Sequence, residues 1–288
     1  MLKKFSFICF KTLVLLDKFF KILSKKSFLS WFPDFFQEIS YKSIEILDKK
    51  VNFFVPNNIT MWRVNTFFIK EPETLEWINS FEKKENLIFW DIGANIGLYS
   101  IYNSLKNPKS TTIAFEPSSS NLRVLTRNIS INNLEKNIKV VSAPLTNTEN
   151  TFQVMKEGEF VEGGALNTFG KKYDFAGKEF KSKMNYSLIG TTIDYLVQNS
   201  ILAIPDYIKI DVDGIEHLIL EGGDTALRNK KIKSLSVEIN ENFEEQFKTT
   251  LLLMEKYEFK FLHKKRDDKF TKIKAGIFAN SYNYIFIR

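Results

Sequence analysis

Cysteine is nearly absent from this 288-residue chain. Cys9 stands alone, which excludes an intrachain disulfide and any cysteine-built zinc cluster and fits a reducing, cytoplasmic setting. Long uncharged runs are missing from the N-terminal segment, where the longest is about six residues against the roughly 20 needed to span a bilayer. No transmembrane helix is expected there. Lys11 also interrupts the apolar stretch that a signal peptide requires, so export is not expected. Internal repeats and low-complexity tracts are lacking too. What is present suits a packed interior: 44% of residues are hydrophobic and 15% aromatic, too many for a disordered chain. The length accommodates one α/β sheet with an appended segment.

The net charge of +7 is unevenly placed. Residues 1–30 hold seven lysines against the single Asp17, so six of the seven net charges lie in this leader. An enzyme of nucleic acid spreads positive charge over its folded surface, and this distribution argues against a nucleic-acid partner. A second basic stretch, 256–274, carries eight Lys or Arg against three acids. It either faces an anionic substrate or forms a solvated edge.

At 100° per residue, Phe5, Ile8, Cys9, Leu13, Leu16, Phe20 and Leu23 share a stripe opposite Lys3, Lys11, Lys18, Lys21 and Lys25. Residues 1–30 therefore read as a basic amphipathic helix, with Phe7 and Val14 intruding on the lysine face. Such a helix either lies in the membrane interface, peripheral at the inner face of the membrane, or docks on its own domain or a second subunit. The oligomeric state stays open.

Residues 31–60, with Pro33, Pro56 and no clean period, read as a linker covering the domain edge. Beyond them short apolar runs alternate with helical stretches, the pattern of a mostly parallel sheet covered on both faces. Strands are expected at 87–91, 111–116, 138–142, 207–211, 232–238, 257–262 and 284–288, and helices at 98–105, 118–132, 215–220 and 243–256. Ser118 is placed to cap the second of these helices after the turn set by Pro117. The glycine-bearing stretch 145–185 reads as a hairpin-rich excursion or a mobile lid.

An apolar run ending in Asp91, then Gly93-Ala94-Asn95-Ile96-Gly97 and a helix, describes a tight strand-to-helix turn that a ligand can approach closely. Asn95 stands where another glycine is common, and asparagine tolerates left-handed backbone. Asp91 can accept hydrogen bonds from backbone amides or, through water, from the ammonium of a bound amino acid. Glu116 closes the next expected strand 25 residues later, and adjacent parallel strands bring both carboxylates to one edge. An acid there can take two ribose hydroxyls. Together these residues read as a nucleoside-cofactor site.

The chain resembles the FkbM family of methyltransferases through Asp91-Ile92-Gly93-Ala94-Asn95-Ile96-Gly97-Leu98-Tyr99-Ser100, Phe115-Glu116-Pro117, and Ile208-Lys209-Ile210-Asp211-Val212-Asp213-Gly214-Ile215-Glu216, in that order. Lys70-Glu71-Pro72-Glu73-Thr74 and Val237-Glu238-Ile239 also look like family features. The likeness covers roughly residues 60–262, so 61–288 is expected to form the family domain. It implies a Rossmann-like methyltransferase fold, S-adenosylmethionine as methyl donor, and methylation of an oxygen on a glycan or secondary metabolite. Cofactor contacts are then expected from Asp91, Gly93, Asn95, Gly97, Glu116, Pro117 and Asp211. Two positions depart from the family pattern: Asp213 replaces its usual glutamate, and Asn147 stands where an acid is common, which leaves adenine recognition to the backbone around Ser142 and Ala143.

Methyl transfer is an in-line displacement, so the chain must align an acceptor oxygen and take up its proton. Asp211, Asp213, Glu216 and His217 follow one strand end and are the expected bases, with Asp213 orienting His217 four residues on. No metal is expected, although Asp211 and Asp213 could hold a divalent ion. Arg63, Glu71 and Glu73 could contact the cofactor's methionine portion or the acceptor. A nicotinamide-dependent dehydrogenase shares the glycine turn and the acid but leaves residues 208–216 unexplained. A catalytically silent cofactor-binding or membrane-scaffolding protein is the remaining alternative.

Overall fold

The computed structural model describes residues 1–265 and 280–288. Its N-terminal part runs α1 (Leu2–Ser24), α2 (Phe32–Ile39), a hairpin of β1 (Tyr41–Ile46) and β2 (Lys49–Phe54), then α3 (Asn58–Asn65), α4 (Phe67–Lys70) and α5 (Pro72–Asn79). The expected linker at 31–60 is thus largely helix and hairpin. Leu47 and Asp48 close the hairpin with both φ values positive, at 51° and 60°, the geometry of a type I′ turn made without its usual Asn-Gly signal. Asn57 caps α3 by accepting from the amides of Ile59 and Thr60, both at 2.9 Å.

The catalytic-type sheet follows: β3 (Ile88–Ile92), α6 (Leu98–Lys106), β4 (Thr111–Phe115), α7 (Ser119–Ile131) and β5 (Ile138–Val141). An excursion then forms β6 (Thr151–Glu157), β7 (Thr168–Phe169) and β8 (Met184–Gly190). The chain returns through α8 (Ile193–Gln198), β9 (Tyr207–Ile210), α9 (Glu216–Glu221), β10 (Ser234–Asn240), α10 (Glu244–Lys256), β11 (Lys260–Lys265) and β12 (Ser281–Ile287). The fold is α/β and Rossmann-like, with a seven-stranded sheet in the order β11-β12-β10-β9-β3-β4-β5. The five strands from β10 to β5 pair in parallel, while β12 pairs antiparallel with both β10 and β11. The excursion over 145–185 is built as a separate antiparallel sheet, β7-β6-β8. Residues 266–274 of the basic stretch lie outside the described residues.

Helices cover both faces because successive strand residues alternate sides. Trp90, Ile92, Ile208 and Ile210 pack with α8 to α10, whereas Phe89, Ala114 and Tyr207 pack with α5 to α7 and the hairpin. Chain order reverses between β3 and β9, the switch point where the carboxyl ends of parallel strands open a crevice. Asp91 and Lys209 are register partners across that pair.

Among the described residues no helix is long and apolar enough to cross a membrane. Among the described residues α1 is not packed into the sheet domain: Asp17 is its single buried residue, and neither hydrophobic core includes any part of it.

Candidate active site

The turn after β3 needs left-handed backbone at Gly93, Asn95 and Gly97, with φ of 87°, 50° and 88°. The amides of Gly93 and Ala94 both donate to the Phe115 carbonyl, at 3.0 and 2.9 Å, so the turn is stitched to the end of β4. At Gly93 a Cβ would stand 1.8 Å from the Asp211 carbonyl oxygen, which demands glycine. Gly97 lies behind the site as the N-cap of α6, packed on Leu125.

Glu116 joins the two motifs. Its Oε2 accepts from the Asn95 amide at 2.8 Å and its Oε1 from the Ser118 amide at 2.9 Å. The expected Ser118 side-chain cap on α7 is not made; its hydroxyl pairs with that of Ser120 instead. Burial pushes the Glu116 carboxyl up to about 7, the amide bonds only partly opposing it.

Two cavities open from this edge. A narrow one of about 70 Å³ is lined by Glu116, Pro117, Ala143, Pro144, Leu145, Ile215 and Ile219, among others. A wider one of about 680 Å³ lies against Arg63, Glu71, Glu73, Glu238 and Tyr282. Gly93, Asn95, Gly164, Asp211 and Asp213 line both and form their common wall. Of the two residues expected around the adenine, Ala143 lines the narrow cavity, whereas Ser142 is exposed and off its wall. Asn147 is drawn away, donating to Glu221 at 2.8 Å.

Behind the common wall sits Lys209, 1% exposed, whose Nζ lies 2.5 Å from Asp211 Oδ2. Burial alone would lower this ammonium, but the carboxylates of Asp211, Glu71 and Asp91 override it and hold it above its ordinary value. Glu71 is bonded by Lys70 and, at 2.9 Å, by the Tyr99 hydroxyl. Burial opposes its ionisation, yet Lys70 and then Lys209 bring it down to about 2. Asp91 accepts from Ser100 at 2.6 Å through Oδ2, while Oδ1 is buried and has no partner among the described residues.

Asp213 adopts φ 66° and accepts from the Leu166 amide at 2.7 Å; burial and then Asp211 raise its carboxyl to about 6. The bases expected further along are elsewhere. Glu216 is fully buried, taking the amides of Val212 and Gly214 at 3.0 Å and the side chain of Gln246, so it braces the turn rather than facing a cavity. His217 is also buried, against Phe243 at 5.9 Å, and its ring nitrogens have no hydrogen-bond partner among the described residues. Asp213 does not orient it, because α9 starts only at Glu216 and the turn points the aspartate back at Leu166. The described residues hold no group of three or more His, Cys, Asp or Glu arranged around a metal ion.

No site role was read from the sequence for Lys209, Glu238 or Gly164, although the first two stand within the family-like motifs. Lys209 was findable, since a residue two before Asp211 on a strand shares its face. Gly164 was not: its carbonyl takes the Asn95 side chain at 2.7 Å and the Asn121 side chain at 3.2 Å from a loop 69 residues distant from Asn95.

A Methyltransferase FkbM domain model matches residues 91–261. A curated relative, the methyltransferase sdnD of Sordaria araneosa, is 33% identical over 85 residues, covering 30% of this chain and 33% of that protein. The chain thus matches about a third of that relative's length. Among solved structures, the fibrillarin pre-rRNA processing protein of Methanococcus jannaschii is similar at 13% identity and TM-score 0.46, over 85% of this chain and 81% of that one. The precorrin-6y C5,15-methyltransferase of Geobacter metallireducens gives 15% and 0.42, over 76% and 86%. The family model spans more than half of the sequence, with the Gly93 turn, Glu116 and Asp211 inside it, and the chain belongs to the FkbM methyltransferase family.

Proposed function

We propose that this chain is an S-adenosylmethionine-dependent O-methyltransferase acting on a hydroxyl of a glycan or a secondary metabolite. The observation that carries the reading is the wall shared by two cavities, with Asp211 and Asp213 facing both. A donor on one side and an acceptor on the other meet at that wall.

The residues present suit the donor. Glu116 has lone pairs left for a ribose diol after accepting two amides. Asp91 supports the turn from behind rather than meeting the donor, being fully buried and lining neither cavity. Ala143, Leu145, Ile215 and Ile219 offer an apolar slot for a base, and Gly93 leaves room that any side chain would fill. When bound, S-adenosylmethionine supplies an electrophilic methyl group. The chain does the rest: the wall aligns the acceptor oxygen, and the Asp211 carboxylate, steadied by Lys209, takes up its proton.

The wider cavity mixes acids (Glu71, Glu73, Glu238) with Arg63 and Tyr282, a lining suited to hydroxyl-rich acceptors. Burial, and then Asp211, raises the Glu238 carboxyl well above the usual carboxylate range, which favours its hydrogen-bond-donating form.

The test is incubation with methyl-labelled S-adenosylmethionine and a panel of oligosaccharides, hydroxylated metabolites and amine-bearing analogues. Label recovered as a methyl ether is the expected result. Label on nitrogen or carbon would overturn the oxygen assignment.

A further inference from the structure

α1 exposes an apolar face that the rest of the described chain leaves uncovered. On a wheel of 100° per residue, Phe5, Ile8, Leu15, Leu16, Phe19 and Leu23 fall within a sector about 100° wide that contains no lysine. In the structure these six side chains are 53–71% exposed. Lys4, Lys11 and Lys18 flank one edge of that sector, and Lys3 lies opposite it. The leader's single acid is neutralised from within: Asp17 is 3% exposed, accepts from Ser27 at 2.8 Å and the Leu29 amide at 3.2 Å, and pairs with Lys21 at 3.1 Å. What faces outward is therefore apolar or cationic.

The patch continues past the helix. Phe20 meets Phe28 at 5.7 Å, Phe28 meets Phe32 at 5.9 Å, and Phe32 meets Phe36 at 5.7 Å, all edge to face. Trp31, Phe35 and Ile39 add further exposed bulk on and beside α2. Exposed apolar surface of this extent marks a contact site. α2 is in turn anchored to the sheet domain, because Arg123 bonds Gln37 at 2.6 Å and pairs with Glu162 at 2.7 Å.

We infer that α1 docks on an anionic lipid surface, with the Phe/Leu sector entering the acyl boundary and the flanking lysines meeting headgroups. Charge selects this occupant. A second copy would set one lysine-rich helix against another, which repels, whereas an anionic bilayer neutralises the lysines and buries the apolar sector in one step. The inference is independent of the methyl-transfer reading.

Cys9 is exposed and is the sole cysteine of the chain, so the full-length protein can be labelled there with an environment-sensitive fluorophore. Vesicles containing phosphatidylglycerol should blue-shift the emission, pure phosphatidylcholine vesicles should do so weakly, and high salt should reverse much of the shift. Replacing Phe5 and Phe19 by Asn should lower partitioning by about tenfold or more, with S-adenosylhomocysteine binding and far-ultraviolet dichroism unchanged. Flotation of unlabelled protein checks that the label is not the anchor. No shift with anionic vesicles, no effect of the double substitution, or a shift that grows with protein concentration in the absence of lipid would each overturn the inference, the last assigning the face to a second copy.

Discussion

Lys209 reaches Asp211 at 2.5 Å from beneath the wall that separates the two cavities, so a fully buried cation holds the carboxylate that both cavities share. Its register partner across β3 and β9 is Asp91, the acid behind the glycine turn. One ammonium thus serves the carboxylates of two motifs.

Removing that ammonium should cost stability more than packing does. Lys209→Met leaves buried carboxylates without their counter-charge, a loss of about 3–5 kcal/mol at neutral pH. The deficit should be smaller at pH 5 than at pH 7, because burial raises the Asp91 carboxyl and falling pH favours its neutral form. Denaturant unfolding at both pH values measures the difference.

Asp211→Asn keeps the shape of the wall but cannot accept a proton. Turnover is expected to fall by about 10²–10⁴-fold, with the affinity for S-adenosylhomocysteine within about threefold of wild type, within the usual context-dependence of such contacts. Single-turnover rates set beside product binding distinguish loss of chemistry from loss of the site.

Glu116 links cofactor affinity to pH. Its carboxyl titrates near 7, and the ionised form is the better acceptor for ribose hydroxyls. Affinity for S-adenosylhomocysteine should therefore rise as pH increases from 6 to 8. Glu116→Gln should weaken binding by about 10- to 100-fold at pH 8 and flatten that rise.

Glu216 titrates about 7 in the folded chain against an ordinary value of 4.5, because burial outweighs the amide bonds it accepts. The folded state holds this proton longer than the unfolded one, so its contribution to stability is complete below 4.5 and is lost as pH rises through 7. Glu216→Gln should reduce the fall in Tm between pH 5 and 7.5, on the order of 5 °C. Asp213 and Glu116 shift in the same sense and leave a residual slope.

Much of the sheet and its ligand-facing edge was legible because the relevant signals are local. The run into Asp91, the left-handed demand at Gly93 and Asn95, and the acid ending β4 each announce themselves within a few residues, and parallel strands bring them together. Residues 31–60 were harder to read, since the turn at Leu47 and Asp48 lacks glycine or asparagine and nothing in the period marks the hairpin. His217 misled for a related reason: its spacing from Asp213 suggests one helical face, but the chain is still in a turn at Asp213 and Gly214, both with positive φ. Glu216 looked reactive from its position and proved to be a brace, because burial is a tertiary property. The part played by Gly164, supplied from a distant loop, has no local signature at all.

Calorimetric titration with S-adenosylhomocysteine measures whether the ends of β3, β4 and β9 hold S-adenosylmethionine. Wild type should bind saturably at one site and ignore nicotinamide dinucleotides, and Gly93→Ala, whose Cβ would stand 1.8 Å from the Asp211 carbonyl oxygen, should lose that binding. Saturable binding of a nicotinamide dinucleotide with none of S-adenosylhomocysteine, or undiminished S-adenosylhomocysteine binding by Gly93→Ala, would place the methyl donor elsewhere or remove it.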